Sequence, residues 1–275
     1  MEVMTKTTWY PHVAEGEVDR LFRQAQFLEQ SIYGFIDLAS SHKLLEVGCG
    51  AGAQTSILLE RFPALHICGV DVQQKQVNEA TKRLAPQIKA GRASYHKADA
   101  RRLPFDHDSF DSAFLCWFLE HVQSPLDVLR EIKRVLVPGS VIFCTEVLNS
   151  SFFVHPASTA VTEYWNAFNE NQTEGGGDPN IGAKLGNLLQ TAGFCNIITR
   201  LGDHFYDSRD EATAARRAEM CRYWKDLLMS AVPQLEERKM VSEQTTRAMQ
   251  EDLTSIGQHT EGVFFYSFIQ ARAYV

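Results

Sequence analysis

The sequence predicts an α/β fold in which a mostly parallel sheet carries helices on both faces. Over the first 150 residues, short apolar runs alternate five times with amphipathic segments, which is the pattern of repeated strand–helix–strand units. A glycine cluster directly follows the first apolar run, and such a cluster lets the chain turn tightly from a strand into a helix. Together these observations indicate a sheet whose first loop binds a ligand at a helix N-terminus.

Composition and charge disfavour several other classes of protein. The chain has 275 residues, of which 44% are hydrophobic and 22% are charged, as in an ordinary globular protein. No window approaches the roughly 18 apolar residues of a membrane span, and the N-terminus lacks the apolar stretch of a secretory signal. The net charge of −7 disfavours a protein whose main task is to grip nucleic acid.

The cysteines are far apart in the sequence and form no C-x-x-C pair. We therefore predict buried free thiols, a reducing compartment such as the cytoplasm, and no metal centre. The six cysteines are Cys49, Cys68, Cys116, Cys144, Cys195 and Cys221.

The individual elements follow from local patterns. Apolar residues at helical spacing predict a first helix over 13–36. Pro125 suits the first turn of a helix, and Gly193 ends another. Residues 148–180 carry aromatic side chains without a clear strand, whereas residues 210–256 have a charged, helical pattern. Seven strands are predicted, over 43–47, 66–70, 94–97, 110–117, 141–147, 195–200 and 263–273, with further helices over 54–61, 74–84, 124–136 and 184–192.

We predict one domain with additions at the edge of its sheet. The core spans 41–147, continues with a helix and strand over 183–204, and closes with the final strand in 261–275. We expect the other segments to cover the site and enclose a substrate. They are an N-terminal arm and helix at 1–40, a lid insertion at 148–182 and a helical insertion at 205–260.

Two kinds of ligand compete for the glycine loop. Gly48, Gly50 and Ala53 fit the dinucleotide pattern G-x-G-x-x-G/A, with an acid about 20 residues further on. The alternative pattern, E-x-G-x-G-x-G, begins at Glu46 and ends at Gly52. An acid two residues before the first glycine would repel a pyrophosphate, whereas it suits a cationic ligand. The second pattern is therefore favoured.

Further motifs accompany this loop. Two more acids, Asp71 and Asp99, close the second and third strand regions, where a carboxylate can accept hydrogen bonds from a ligand beyond the strand ends. The motifs are LEVGCGAG at 45–52, GVDV at 69–72, ADA at 98–100 with LPF at 103–105, FD at 110–111, FLEHV at 118–122, and the segment from Leu129 to Pro138-Gly139.

With these motifs the sequence resembles the class I S-adenosylmethionine (SAM)-dependent methyltransferases over roughly residues 40–150. The resemblance implies a Rossmann-like sheet and SAM as cofactor, with S-adenosylhomocysteine (SAH) as its product. It also implies that Glu46 meets the methionine end of SAM, Asp71 the ribose hydroxyls and Asp99 the adenine amino group. The cofactor contacts expected are Tyr10, Glu46, Gly48, Cys49, Gly50, Gly52, Gln54, Asp71, Val72, Asp99, Ala100 and Cys116.

The methyl acceptor is less well defined. The turn after the fourth strand reads LCWFLEH and lacks the N/D-P-P-Y/F motif of enzymes that methylate exocyclic or amide nitrogens, so it looks like the small-molecule and quinone-type members of the family. Candidates for a general base are His155, Tyr164 and His121. Candidates for substrate contact are Trp9, Trp117, His155, Tyr164, Trp165 and Arg222. The aromatic residues equally fit a small core under a lid. For Arg222 a solvated helix face is favoured, because the acids Glu211, Glu219 and Asp226 accompany it.

The prediction is therefore an enzyme that transfers a methyl group from SAM to a small molecule by in-line displacement. Two alternatives stay open: a methyltransferase that acts on protein or RNA, and a SAM-binding protein without catalytic activity. Nucleic acid is disfavoured as a partner by the acidic balance, and either a monomer or a homodimer fits, because the region 205–260 suits a lid or a dimer surface.

Overall fold

A central sheet of eight strands organises the protein, and the computed structural model describes residues 17–275. The strands are β1 (Lys43–Val47), β2 (His66–Asp71), β3 (Ala93–Lys97), β4 (Phe110–Cys116), β5 (Leu136–Val147), β6 (Phe153–His155), β7 (Cys195–Tyr206) and β8 (Val263–Tyr274).

Helices cover both faces of this sheet. They are α1 (Glu17–Phe27), α2 (Glu29–Tyr33), α3 (Ala53–Arg61), α4 (Gln74–Arg83), α5 (Ala85–Lys89), α6 (Pro125–Val135), α7 (Thr159–Glu174), α8 (Leu185–Thr191), α9 (Glu211–Met229), α10 (Val232–Glu237) and α11 (Glu243–Gln258). Single turns of 3-10 helix lie at Leu119–His121, Asn149–Ser151 and Ile181–Lys184. None of the helices described combines the length and apolar character needed to cross a bilayer.

The strand order is β3-β2-β1-β4-β5-β8-β6, and β7 also pairs with β8. The first five strands run parallel, whereas β8 is antiparallel to β5, β6 and β7. The chain moves outward in one direction from β1 through β2 and β3, then returns to place β4 on the other side of β1. Such a reversal opens a crevice at the carboxyl ends of the strands, where open α/β sheets bind ligands.

Alternation along the strands builds two apolar cores. On β4, Phe114 packs into the core that contains α7, α9 and α11, whereas its neighbours Ala113 and Leu115 pack into the core under α6 and α8. The helices from 148–182 and 205–260 therefore share one face of the sheet. Their buried side chains on this face include Val161, Trp165, Phe168, Met220, Trp224, Leu228, Met249 and Leu253.

The structure confirms the predicted α/β class, and the differences are local. The eighth strand is β6, which was missed because three residues carry too short a pattern to distinguish a strand from a loop. The single helix predicted over 13–36 is two helices, α1 and α2, which meet at Leu28, and residues 13–16 lie outside the described part. Strand β7 runs to Tyr206 rather than ending at residue 200.

The cysteines are all free, as expected. Four are buried and Cys116 is half-buried, but Cys195 is exposed, which corrects the prediction that all would be covered. The reason is its position at the start of β7, whose early residues face away from the core.

Candidate active site

The glycine loop connects β1 to α3 and needs glycine for two separate reasons. Gly48 has φ +74°, and a Cβ at this position would overlap the ring of Phe118. Gly50 has φ +50°, and a Cβ there would meet no protein atom within 4 Å. The loop therefore packs tightly against the turn after β4 on one side and leaves open space beside Gly50 for a ligand.

Asp71 ties the end of β2 to this loop. Its Oδ2 accepts the backbone N–H of Gly50 at 3.1 Å, and its Oδ1 accepts that of Gln73 at 2.8 Å. Burial raises the pKa of Asp71, while these two hydrogen bonds oppose the increase because they favour the carboxylate. The carboxylate is thus fixed at the carboxyl end of β2, directly beside the loop.

Asp99 follows β3 and forms an ion pair with Arg101. The Arg101 guanidinium lies 2.6 Å from the carboxylate, and this hydrogen bond lowers the pKa of Asp99. Both side chains are substantially exposed, at 43% for Asp99 and 51% for Arg101. Asp99 therefore remains reachable for a ligand, although it already has a cationic partner.

Glu46 connects the end of β1 to α3. Its carboxyl group is buried beneath the loop and accepts a hydrogen bond of 2.5 Å from the Thr55 hydroxyl on α3. Burial raises the pKa of Glu46 to about 8. Glu46 does not line the cavity described next and in this structure joins β1 to α3. Its contact with a ligand, directly or through water, stays a prediction.

A cavity of about 580 Å³ opens at the carboxyl ends of β1, β2 and β4, within the range of small-molecule sites. Predicted residues on its wall are Gly48, Cys49, Gly50, Gln54, Asp71, Val72, Asp99, Ala100, Cys116, Trp117, His121 and Trp165. The first helix contributes Leu21 and Gln24, and Leu28 at its junction with α2 also lines the cavity. Trp9 and Tyr10 lie outside the described residues.

The turn after β4 contributes Trp117, Phe118, Glu120 and His121 to the wall of this cavity. Trp117 has φ +52°, an uncommon value for a bulky residue and typical of functional positions. The turn is held from below by Glu146 on β5, whose carboxyl accepts the backbone N–H groups of Phe118 and Leu119 at 3.2 and 2.8 Å. Burial, followed by repulsion from Glu120, raises the pKa of Glu146 to about 8.

Glu120 and His121 stand side by side on this turn. His121 Nε2 is 3.7 Å from Glu120 Oε1, and Gln172 Nε2 donates to Glu120 Oε2 at 2.7 Å. Gln172 belongs to α7, so this contact connects the 148–182 segment to the sheet core at the cavity wall.

Part of the cavity wall consists of aromatic rings. Trp165 and Phe168 of α7 stack with ring centroids 5.5 Å apart, and Trp165 lies 5.6 Å from Trp224 of α9. Trp224 in turn lies 4.5 Å from Tyr266 of β8. We call this part the acceptor end; its lining residues are Trp117, Asn149, Trp165, Phe168, His204, Tyr223, Trp224, Leu227, Ser230 and Tyr266.

Five predicted residues do not reach the cavity wall: besides Glu46 these are Gly52, His155, Tyr164 and Arg222. Gly52 caps α3 behind the loop. His155 is exposed on β6. The Tyr164 side chain is fully buried, and its hydroxyl donates to the Leu228 carbonyl at 2.8 Å. Arg222 is exposed on α9, which agrees with its interpretation as part of a solvated helix face.

Sequence reasoning missed His204 as a lining residue because it ended β7 at residue 200. The sequence carried no signal for it, because the apolar residues of this stretch, Leu201 and Phe205, lie on the exposed face of β7 and His204 on the buried one. Tyr266 was missed for another reason, since strand pairing across β8 decides which of its alternate residues approaches the cavity.

This fold and cavity define a Rossmann-like α/β domain with a ligand site at its switch point. Residues 45–144 match the family model described as a methyltransferase domain. The methyltransferase GfsG of Streptomyces halstedii is 30% identical over 133 residues, 48% of this chain and 48% of that protein. The O-methyltransferase cnsE of Penicillium expansum is 31% identical over 159 residues, 57% of this chain and 53% of that protein.

The family model and these relatives support assignment of the sheet core to the class I SAM-dependent methyltransferase family. The chain spans about half the length of the curated relatives it matches. Among solved structures, phosphoethanolamine N-methyltransferase 2 of Haemonchus contortus in complex with SAH has a TM-score of 0.56 at 17% identity, covering 94% of this chain and 58% of that chain. At this identity the similarity describes the fold.

Proposed function

We propose that the protein is a SAM-dependent methyltransferase whose acceptor is a small molecule with a nucleophilic oxygen. The observation that carries the proposal is the continuity of the cavity from the glycine loop and Asp71 to the aromatic acceptor end. A methyl transfer needs donor and acceptor in line within one enclosed space, and this cavity has that form.

The residues around the loop fit SAM. The open space at Gly50 suits close approach by a ligand, and Ala53 and Gln54 in the first turn of α3 line the same cavity. Asp71 retains acceptor capacity for ribose hydroxyls while it holds Gly50 and Gln73. Asp99 and Ala100 line the part of the cavity where an adenine amino group would be met.

When bound, SAM would supply an electrophilic methyl group carried on a positively charged sulfur. The chain's own residues bind, orient and shield. Apolar residues line the cavity and reduce its access to water: Leu21 of α1, Leu28 between α1 and α2, Phe168 of α7 and Leu227 of α9. In this proposal the segments 148–182 and 205–260 form the acceptor site, and the N-terminal segment covers the cofactor.

Oxygen is supported as the acceptor atom by cnsE, which is named an O-methyltransferase. The acidic balance of the chain, −7 overall, supports a small-molecule acceptor over RNA. The free cysteines support the cytoplasm as its compartment. The non-catalytic alternative requires a blocked acceptor end, whereas this end adjoins the cofactor region in one cavity.

The proposed cofactor site is tested by calorimetric titration of the full chain with SAM and with SAH. We expect Asp71→Ala to weaken the binding of SAM and of SAH about ten- to a hundredfold, because removing the carboxylate removes its charge-assisted hydrogen bonds to the ligand. Asp226→Ala, which removes an exposed carboxylate on α9 away from the cavity, is the matched control. Equal affinities for the two variants would overturn the assignment of Asp71.

A further inference from the structure

The acceptor end has an aromatic wall with almost no charge. Among the described residues that line it, none is lysine or arginine. Arg101 stands at the cofactor end and is paired with Asp99. The acids that line the cavity are Asp71, Asp99 and Glu120, and Glu120 lies on the turn after β4. An anionic acceptor would therefore lose its hydration at this end without gaining a cationic partner.

Most polar groups at this end are already engaged. Asn149 Nδ2 donates to Asn169 Oδ1 at 2.7 Å, and Asn149 Oδ1 accepts from the Tyr266 hydroxyl at 3.0 Å. The Ser230 hydroxyl donates to the Leu227 carbonyl at 2.6 Å. These groups hold the wall in shape and have little capacity left for a ligand.

The indole nitrogens of the wall are also unsuited to a ligand. Those of Trp117 and Trp224 have no hydrogen bond but are sealed from water by the packing. That of Trp165 donates to the Asn149 carbonyl at 3.1 Å. The aromatic rings therefore offer the ligand their apolar surfaces rather than their N–H groups.

His204 differs from these neighbours. It lines the cavity from β7 with 3% of its surface exposed. Its Nδ1 lies 3.5 Å from the Tyr206 hydroxyl, and its ring packs 5.5 Å from Phe268, which in turn contacts Trp117. No hydrogen bond within residues 17–275 engages Nε2, and this atom is not sealed by the packing.

The environment of His204 also fixes its charge. Burial lowers its pKa to about 4 because the charged imidazolium would be poorly solvated there. The ring is therefore neutral at physiological pH. In the tautomer whose Nδ1–H donates to the Tyr206 hydroxyl, Nε2 is the unprotonated nitrogen and can accept one hydrogen bond. The aromatic wall supplies apolar contact, and the His204 imidazole adds a hydrogen-bond acceptor to this end.

We propose that His204 is a specificity-determining residue of the acceptor site, which takes an uncharged, ring-containing molecule and accepts a hydrogen bond from one of its hydroxyl groups. This proposal rests on the proposed function, because it assigns the acceptor end of the same cavity. It separates the acceptor's anchoring hydroxyl, held by His204, from the atom that receives the methyl group near the turn after β4.

The hydroxyl is tested with two probes that share one ring system, 2-naphthol and 2-methoxynaphthalene, titrated calorimetrically into the SAH complex of the full chain. We expect the wild-type protein to favour 2-naphthol about three- to tenfold, which corresponds to the net value of one hydrogen bond. His204→Phe should lose this preference and keep its affinity for 2-methoxynaphthalene. His204→Asn, which keeps a side-chain acceptor, should retain part of the preference.

The matched control is His155→Phe, which makes the same substitution at an exposed histidine away from the cavity and should keep the full preference. The affinity of each variant for SAH verifies that it is folded. A preference that persists in a folded His204→Phe variant, or that is absent in the wild-type protein, would overturn the proposal. Failure of the wild-type protein to bind SAH would instead overturn the proposed function.

The charge is tested with methyl 6-hydroxy-2-naphthoate and 6-hydroxy-2-naphthoate, which differ in an ester against a carboxylate. We expect the carboxylate to bind at least about tenfold more weakly at neutral pH, because the acceptor end supplies no cation to offset its desolvation. Equal binding of the two probes would contradict the proposed class of acceptor.

Discussion

At the scale of single residues, the buried carboxyl group of Glu46 shows how burial changes chemistry. The motif, in which Glu46 stands two residues before the first glycine, indicates an acid beside a ligand. The structure turns its side chain toward Thr55. A residue on a strand can face either side of the sheet. The polar partner of Glu46 depends on how α3 packs against β1, so its contact with Thr55 could not be predicted from the motif.

The pKa of Glu46 gives a prediction for stability. The folded pKa of about 8 lies above the ordinary value of 4.5, so between these values the folded state binds more protons than the unfolded state. The contribution of Glu46 to the free energy of unfolding is thus complete below about pH 4.5 and is lost as the pH rises through 8.

Urea unfolding at several pH values from 5 to 9 measures this contribution. We expect Glu46→Gln to show a smaller decline in stability over this range than the wild-type protein, since each unit of pKa difference corresponds to about 1.4 kcal/mol. Glu60→Gln changes an exposed carboxyl on α3 and is the control. An unchanged decline in Glu46→Gln would contradict the raised pKa.

At the scale of elements, the glycine loop was predictable and the acceptor wall was not. The loop and Asp71 are joined by local backbone geometry, which short motifs encode directly. The acceptor wall combines α7, α9, β7 and β8, which are separated in sequence and meet through tertiary packing. Trp165 was predicted for this wall, whereas Tyr164 beside it faces the core, because adjacent helical residues point in different directions.

The loop can be tested by comparing two glycines with similar backbones. Gly50 and Gly91 have φ +50° and +72°, and a Cβ on either meets no protein atom within 4 Å. Substitution by valine strains the backbone at both positions, because both have a positive φ. Of the two glycines, only Gly50 lines the cavity. We expect Gly50→Val to weaken SAH binding at least about tenfold because its side chain fills ligand space.

The control, Gly91→Val, should lower the melting temperature to a similar extent while SAH affinity stays unchanged. Thermal unfolding and calorimetry on the same samples separate the two effects. If both variants lost SAH affinity equally, the effect would be a general consequence of backbone strain and the loop would not be the ligand site.

At the scale of the whole molecule, the sheet order explains why distant segments share one cavity. The reversal between β2 and β4 on either side of β1 creates the crevice, and the antiparallel β8 brings β7 and its His204 to the same wall. The predicted seven strands captured the parallel half of this sheet, since strand and helix alternate there in the sequence. They also included the antiparallel β7 and β8. The short β6 and the end of β7 were missed, because neither has a periodic apolar pattern in the sequence.

The most direct test of the account is methyl transfer itself. The purified full chain is incubated with a pool of metabolites and SAM carrying a deuterated methyl group, and mass spectrometry records compounds that gain one labelled methyl. We expect an uncharged, hydroxyl-bearing ring compound to gain the label with the wild-type protein and not with Gly50→Val. Tight SAM binding without labelling of any compound in the pool would contradict methyl transfer and favour a non-catalytic SAM-binding protein.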